Sequence, residues 1–147
     1  MTGPHADEFW RAMDKEINCL HDLNTWTVVP RNTMPMGVRS VPGTWALRIK
    51  RYPDGRLHKF KARFCVMGNL MTKGEHYDGE SYSPLVGWPT VRAALVLAAA
   101  KGWKSRQVDF TNAFCQAPQE GDLYVELPQY YKPDGVEDPY AYVLKLK

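Results

Sequence analysis

The chain has 147 residues, the length of one ordinary domain, and with 44% hydrophobic and 12% aromatic residues it can build a core. No apolar run approaches the roughly 20 residues needed to cross a bilayer, and the start lacks the basic-then-apolar order of a signal peptide, so we expect a soluble intracellular protein. The net charge of +3 is mild. Without a Cys-x-x-Cys pair, neither a disulfide framework nor a zinc site is favoured, and we expect three buried free thiols, Cys19, Cys65 and Cys115.

The N-terminal part predicts a helix, a strand and a loop. Between positions 7 and 23, apolar residues recur at intervals of three and four, as on one face of a helix: Phe9, Met13, Ile17, Leu20 and Leu23. Residues 26–29 then read as a strand that Pro30 ends. Residues 30–43 are rich in proline and glycine and are expected to form a loop.

A β-hairpin is predicted for residues 45–66. Apolar and polar residues alternate on both sides of Pro53-Asp54-Gly55, whose composition favours a turn. A two-residue Asp54-Gly55 loop gives the apolar cross-strand pairs Trp45–Phe64, Leu47–Ala62 and Ile49–Phe60. A three-residue loop with a bulge is the alternative.

The opposite face of this hairpin is basic. Between Arg48 and Arg63 the chain carries seven Lys or Arg and one acid, and the predicted register places Lys50 opposite Lys59 and Arg48 opposite Lys61. Like charges directly opposite one another destabilise a sheet by roughly a few tenths of a kcal/mol per pair. The ladder therefore indicates an anion site, although a solvated face with long side chains extended into water is an equally good explanation.

The second half predicts a loop, a helix and two strands. Residues 68–88 contain four glycines and no sustained period, which predicts a long connection. Pro89 stands where a first helical residue is favoured, and the apolar run after it ends at Gly102, which predicts a helix. Strands are predicted at 103–110 and 123–127. Together the elements predict an α+β fold, with helices packed on one side of a largely antiparallel sheet.

One acid stands out in the second half. Asp109 lies in QVDFTNAF, at 107–114, where a predicted strand leads into a turn. A carboxylate at such a place has an ordinary explanation as a cap for the turn.

The motifs of the chain follow the order seen in reverse transcriptases of Ty1/copia-type retrotransposons, which the chain resembles along essentially its whole length. The matching segments are FWRAMDKEI at 9–17, NTWTVV at 24–29, KARFCVMG at 61–68, YSPLV at 82–86, QVDFTNAF at 107–114 and LYVELP at 123–128. This resemblance implies an RNA-directed DNA polymerase fragment with the fingers and a partial palm of a right-hand polymerase. Residues 1–88 would be the fingers-like region and residues 89–147 the first part of the palm.

The resemblance also implies site residues. Polymerases of this kind use two metal ions, and Mg²⁺ prefers oxygen ligands. Asp109 is then the first catalytic, metal-binding carboxylate and the backbone carbonyl of Phe110 a second ligand. Phe114 matches the bulky residue under the incoming sugar, with a plain core position as its ordinary alternative. Backbone N–H groups around Asn112 and Ala113 would face the triphosphate.

Hairpin cations complete the site that the resemblance implies. The triphosphate-binding cations would be Arg63 with Lys50 or Arg51, since a guanidinium suits bidentate phosphate contacts. The nucleic-acid-binding cations would be Arg48, Lys59 and Lys61, which would follow a template backbone.

The sequence departs from the family pattern at the metal site. No Asp-Asp pair occurs in the 147 residues, so the Tyr-x-Asp-Asp segment that carries further metal-binding aspartates is absent. One carboxylate does not close a two-metal site. We therefore expect this N-terminal fragment to be inactive alone and to bind Mg²⁺ weakly or not at all.

Two other functions remain open from the sequence. The chain could be a non-catalytic nucleic-acid-binding module that uses the basic face with Trp45 or Tyr52 nearby, or a remnant interaction module that folds only with a partner. For the complete enzyme the expected partners are template, primer, dNTP and the rest of the Pol polyprotein, with no membrane. The expected location is a cytoplasmic virus-like particle or the nucleus.

Overall fold

The computed structural model describes residues 3–79, 84–119 and 121–147. Over these residues the fold is α+β, as predicted, with two α-helices and five β-strands. The elements are α1 Ala6–Asp22, β1 Trp26–Pro30, β2 Gly43–Arg51, β3 Leu57–Val66, α2 Trp88–Ala100, β4 Tyr124–Glu126 and β5 Tyr142–Leu146.

The chain divides into two compact units. One comprises Met1–Asp78 and Phe114–Lys147 and contains α1 and the five described strands; we call it the hairpin unit. The other comprises Gly79–Ala113 and contains α2; we call it the α2 unit. No described helix has the length and apolar character required to cross a membrane.

Helix α1 forms where the apolar period predicts it. Met13 and Leu20 on the predicted face are buried. Asp7 and Glu8 lie in the first turn, where negative charge interacts favourably with the helix dipole. After the helix, Asn24 adopts a left-handed conformation, with φ at 53°, a conformation that asparagine tolerates better than most residues and that redirects the chain into β1.

The hairpin of β2 and β3 has the predicted register. Leu47 faces Ala62, and the neighbouring apolar pairs follow the same alternation. The loop is the three-residue alternative, because the Gly55 N–H donates to the Tyr52 carbonyl at 2.9 Å and Gly55 has a φ of 85°. The register shifts between Lys50 and Arg51, as expected for the bulged form.

Helix α1 and the hairpin pack through aromatic side chains. The Phe9 ring meets the Phe60 ring edge to face, with centroids 5.1 Å apart. On the same apolar face, the ring centroids of Trp45 and Phe64 lie 5.5 Å apart. A side chain at Gly43 would overlap the Phe64 ring, so glycine at this position lets the ring lie against the backbone of β2.

A second antiparallel sheet has the order β1–β5–β4 and contributes residues to the main core. Its central strand, β5, was not predicted. Val143 and Leu144 are adjacent and both fully buried, so β5 lacks the polar alternation that marks a half-exposed strand. The buried core cluster combines α1, the sheet and the 30–43 loop: Leu20, Trp26, Val41, Leu123, Val125 and Leu144.

Three predictions about strands, sheets and cysteines were wrong. The predicted strand at 103–110 is irregular, because a strand needs a partner and no described strand pairs with it. The described strands form two sheets, where one had been predicted. The cysteines are free, but Cys65 is exposed on β3 and Cys19 and Cys115 are only half-buried.

Candidate functional site

Five cations share one face of the hairpin. Arg48 lies directly opposite Lys61 and Lys50 directly opposite Lys59, as the register predicts. Arg63 lies opposite Ala46 and points to the same side, because side chains two positions apart on a strand share a face. We call this set the basic face.

The cations of the basic face influence one another. Burial lowers the pKa of the Lys61 ammonium, and repulsion from Arg63 and Lys50 lowers that pKa further. Glu16 of α1 acts in the opposite direction, and Lys59 adds a smaller repulsion. A bound anion would relieve this repulsion, so the electrostatics of the basic face favour a negatively charged ligand.

The hairpin tip is organised by local contacts. The Arg51 guanidinium donates to the Gly55 carbonyl at 3.1 Å. Arg51, which the resemblance offers as a triphosphate-binding residue, therefore stabilises the turn. Arg56 pairs with Asp54 at 2.7 Å in an exposed position, where ion pairs contribute little. Tyr52 stacks on His58 with centroids 4.5 Å apart.

Trp45 lies away from the basic face. Its indole N–H donates to the Gln129 carbonyl at 3.1 Å, and its ring packs with Phe64 on the apolar face. A nucleic-acid strand on the basic face would therefore have Tyr52, and not Trp45, as a nearby aromatic partner.

Asp109 and Phe110 lie in the α2 unit, in the irregular segment after α2. Gly102, with φ at 64°, ends the helix, and the Trp103 N–H donates to the Ala98 carbonyl at 2.8 Å, which is a Schellman ending. Both Asp109 and Phe110 are exposed. The end of α2 thus sets the direction of the segment that carries Asp109, and this segment pairs with no described strand.

The described residues do not fit a resident metal ion by themselves. Within residues 3–79, 84–119 and 121–147, no three His, Cys, Asp or Glu side chains come together as a ligand group. Mg²⁺ is held by several oxygen ligands in near-octahedral geometry, and Asp109 with one carbonyl does not provide them.

The other residues predicted to contact the nucleotide, Asn112, Ala113 and Phe114, are consecutive in sequence but belong to two different units. Asn112 has a positive φ of 49° and, like Ala113, belongs to the α2 unit. Phe114 opens the last segment of the hairpin unit and is 95% exposed. The ordinary explanation of Phe114 as a core residue is therefore wrong.

An ion-pair network that the sequence did not predict supports β4. The Arg31 guanidinium donates to both carboxylate oxygens of Glu126, at 2.9 and 2.5 Å, and its Nε donates to the Tyr140 carbonyl at 2.9 Å. Ser40 also donates to Glu126. The Arg31 contact is the main reason that the pKa of Glu126 is lowered. Because Arg31 and Glu126 are 95 positions apart, no local sequence pattern reveals the pair.

A second unpredicted cluster holds the loop after β3. The Arg39 guanidinium contacts Glu75 at 2.6 Å, and the Arg39 backbone N–H donates to the same carboxylate at 3.1 Å. These bonds lower the pKa of Glu75 to about 2. Buried His76 accepts from the Thr72 N–H at 2.9 Å and lies 3.1 Å from the Arg39 carbonyl through its other ring nitrogen.

Comparison with known proteins gives a consistent match. Residues 23–146 match the family model described as reverse transcriptase (RNA-dependent DNA polymerase). The chain is 35% identical over 143 residues to the retrovirus-related Pol polyprotein from transposon RE1 of Arabidopsis thaliana, covering 96% of this chain and 9% of that protein. It is 30% identical over 135 residues to the corresponding polyprotein from transposon TNT 1-94 of Nicotiana tabacum, covering 92% and 10%.

The chain spans about a tenth of the length of these curated relatives. No solved structure matches it significantly. The resemblance carried by the ordered motifs is confirmed by the family match over nearly the whole chain. The chain belongs to the reverse transcriptase family and corresponds to part of the reverse transcriptase domain of a transposon Pol polyprotein.

Proposed function

We propose that this chain supplies the fingers and the first part of the palm of a Ty1/copia-type reverse transcriptase. Residues 1–88 would form the fingers-like region and residues 89–147 the palm part. The observation that carries the proposal is the ladder of directly opposed cations, Arg48 with Lys61 and Lys50 with Lys59. A sheet face with this charge pattern is suited to a polyanion.

The cations of the hairpin would divide between two ligands. Arg48, Lys59 and Lys61 would follow the phosphates of a template strand, a contact without base preference. Arg63 with Lys50 would hold the incoming triphosphate. The engagement of Arg51 with the turn carbonyl favours Lys50 over Arg51 for that role.

The catalytic residues would act only in the complete enzyme. Asp109 and the Phe110 carbonyl would supply two of the oxygen ligands for Mg²⁺, the N–H groups near Asn112 and Ala113 would face the triphosphate, and exposed Phe114 would lie beneath its sugar. Because the described residues provide no further ligand cluster for the metal, we propose that the chain is inactive by itself.

Single-strand binding at several salt concentrations tests the proposal. The double variant Lys59→Gln with Lys61→Gln removes two cations from the basic face. The slope of log affinity against log salt should become shallower by about 1.4, which corresponds to two lost phosphate contacts on a single strand. A matched control, Lys15→Gln with Lys73→Gln, removes the same charge from exposed positions outside the basic face and should leave the slope almost unchanged.

Equal slopes in the two double variants would contradict a specific basic face. Asp109→Asn should bind the strand as well as the original chain, since Asp109 has no role in strand binding here. Incorporation of dNTP on a primed template by the 147-residue chain would contradict the proposal that it is inactive alone.

A further inference from the structure

A cleft of about 450 Å³ lies within the hairpin unit, away from the basic face. Helix α1, strand β2 and the segment 129–132 form its walls. Its lining residues include Trp10, Asp14, Asn18, Trp45, Tyr130 and Lys132. This volume lies within the range of small-molecule sites in proteins.

The aromatic walls of the cleft are held in fixed orientations. The Trp45 indole N–H is bound to the Gln129 carbonyl at 3.1 Å. The Trp10 and Tyr130 rings meet edge to face, with centroids 4.9 Å apart and planes at 83°. Rings that are already oriented lose little freedom when a planar ligand stacks on them.

Tyr130 is difficult to explain by the fold alone. Its φ is 72°, a left-handed conformation that is unfavourable for a bulky residue and comfortable for Gly or Asn. The residue is 61% exposed, so burial offsets little of the strain. Strain at an exposed aromatic residue beside a cleft is the pattern expected where the ring serves a ligand.

The polar groups of the cleft narrow the class of ligand. Asp14 and Asn18 both line it; the Asp14 carboxylate only accepts hydrogen bonds, whereas the Asn18 amide both donates and accepts. Groups of these two kinds can pair with the edge of a nucleobase that carries an amino group. Lys132 adds a cation suited to a phosphate. Base–aromatic stacking is a standard means of holding unpaired bases.

We propose that this cleft binds one unpaired nucleobase, stacked on its aromatic walls, with the attached phosphate at Lys132. The base can belong to a free nucleotide or to a single strand. The site goes beyond the proposed polymerase function, because it requires neither Asp109 nor the basic face. Loss of strand binding to the basic face and loss of base binding in the cleft are therefore separately measurable.

The test follows the indole N–H signals of the complete chain by NMR during titration with adenosine monophosphate and with an oligoadenylate. Signals of Trp10 and Trp45 should move, while those of Trp88 and Trp103 in the α2 unit should not. Tighter binding of the oligomer identifies a strand as the source, and equal binding identifies the free nucleotide. No movement of Trp10 and Trp45 with either ligand overturns the proposal.

Tyr130→Asn separates a ligand role from a structural one. Asparagine tolerates the left-handed backbone, so the variant should unfold at the same denaturant concentration as the original chain or at a higher one. Its affinity for adenosine monophosphate should fall about fivefold or more. Tyr140→Asn is the matched control, since Tyr140 is 84% exposed and does not line this cleft. Unchanged affinity in Tyr130→Asn overturns the proposal.

Lys132→Gln tests the phosphate contact. The variant should lose affinity for adenosine monophosphate but not for adenosine, which has no phosphate. Equal loss for both ligands would contradict a phosphate at Lys132.

A proline-rich peptide that moves the Trp10 and Trp45 signals, when neither nucleotide ligand does, would identify a peptide groove and overturn the proposal.

Discussion

The hairpin unit and the α2 unit bury their apolar residues very differently. Leu144 and Val125, which face each other on the paired strands β5 and β4 of the hairpin unit, are fully buried, whereas no residue of α2 is buried. Apart from Thr90 and Arg92, helix α2 is apolar, and a helix of this kind is stable in water only when other elements cover it. The described part of the α2 unit does not contain such elements. The candidate anion site therefore belongs to a unit with its own core, and Asp109 to a unit without one among its described residues.

Paired leucine truncations should show this difference with the largest effect. Leu144→Ala in the central strand should lower the free energy of unfolding by about 2–5 kcal/mol, because it opens a cavity in a packed core. Leu95→Ala in α2, where Leu95 is 56% exposed, should change it by no more than about 0.5 kcal/mol. Denaturant unfolding of both variants measures the contrast, and equal losses would contradict it.

Paired glycine substitutions should give the next largest effect. Gly43→Ala places a methyl group against the Phe64 ring and should destabilise the chain by about 1–3 kcal/mol, as overpacking does. A methyl group at Gly79 would meet no atom of the described residues within 4 Å, so Gly79→Ala should be almost neutral. Thermal unfolding distinguishes the two. A neutral Gly43→Ala would show that the ring does not lie against β2.

Removal of charge from Glu126 should have a smaller effect. Glu126→Gln weakens the bidentate contact with Arg31, but the two side chains are 35% and 39% exposed, so solvent screening reduces the loss to about 1 kcal/mol. A double-mutant cycle with Arg31→Met isolates the coupling between the two side chains. A coupling of zero would mean that the ion pair does not stabilise β4.

Acidification should release the loop after β3. The pKa of Glu75 is lowered to about 2 from its ordinary value of 4.5, so its stabilising contribution is fully present above pH 4.5 and is lost as the pH falls towards about 2. The Arg39 backbone N–H donates to Glu75, so its amide signal should titrate with a midpoint of about 2. Glu75→Gln should abolish this titration. A midpoint near 4.5 would contradict the ion pair.

Local patterns predicted the parts of the fold that depend on neighbouring residues. The period of α1 and the alternation of the hairpin are local, and the hairpin register followed from them, including the opposed pair Lys50 and Lys59. Strand β5 was missed because its buried residues do not alternate with polar ones. Its partner strand β1, which begins at Trp26, also lies near the other end of the chain. The ion pair of Arg39 with Glu75 joins positions 36 apart and leaves no periodic signal.

The error at 103–110 has the same physical origin. The segment has the composition of a strand, but composition supplies no partner for its backbone groups. Of the candidate site, the sequence therefore predicted the basic face, because the two strands that carry it, β2 and β3, are neighbours in sequence and pair with each other. It did not predict the irregular segment around Asp109, for which no described strand supplies a partner.

Hydrogen exchange on the complete chain tests most directly the central claim, that the basic face is built by a stable sheet while Asp109 lies outside one. We predict slow exchange for paired amides in β2, β3 and β5, and exchange close to that of an unfolded chain for residues 104–110. Protection of residues 104–110 comparable to that of β3 would contradict the account, because it would show that Asp109 is already held in a paired strand.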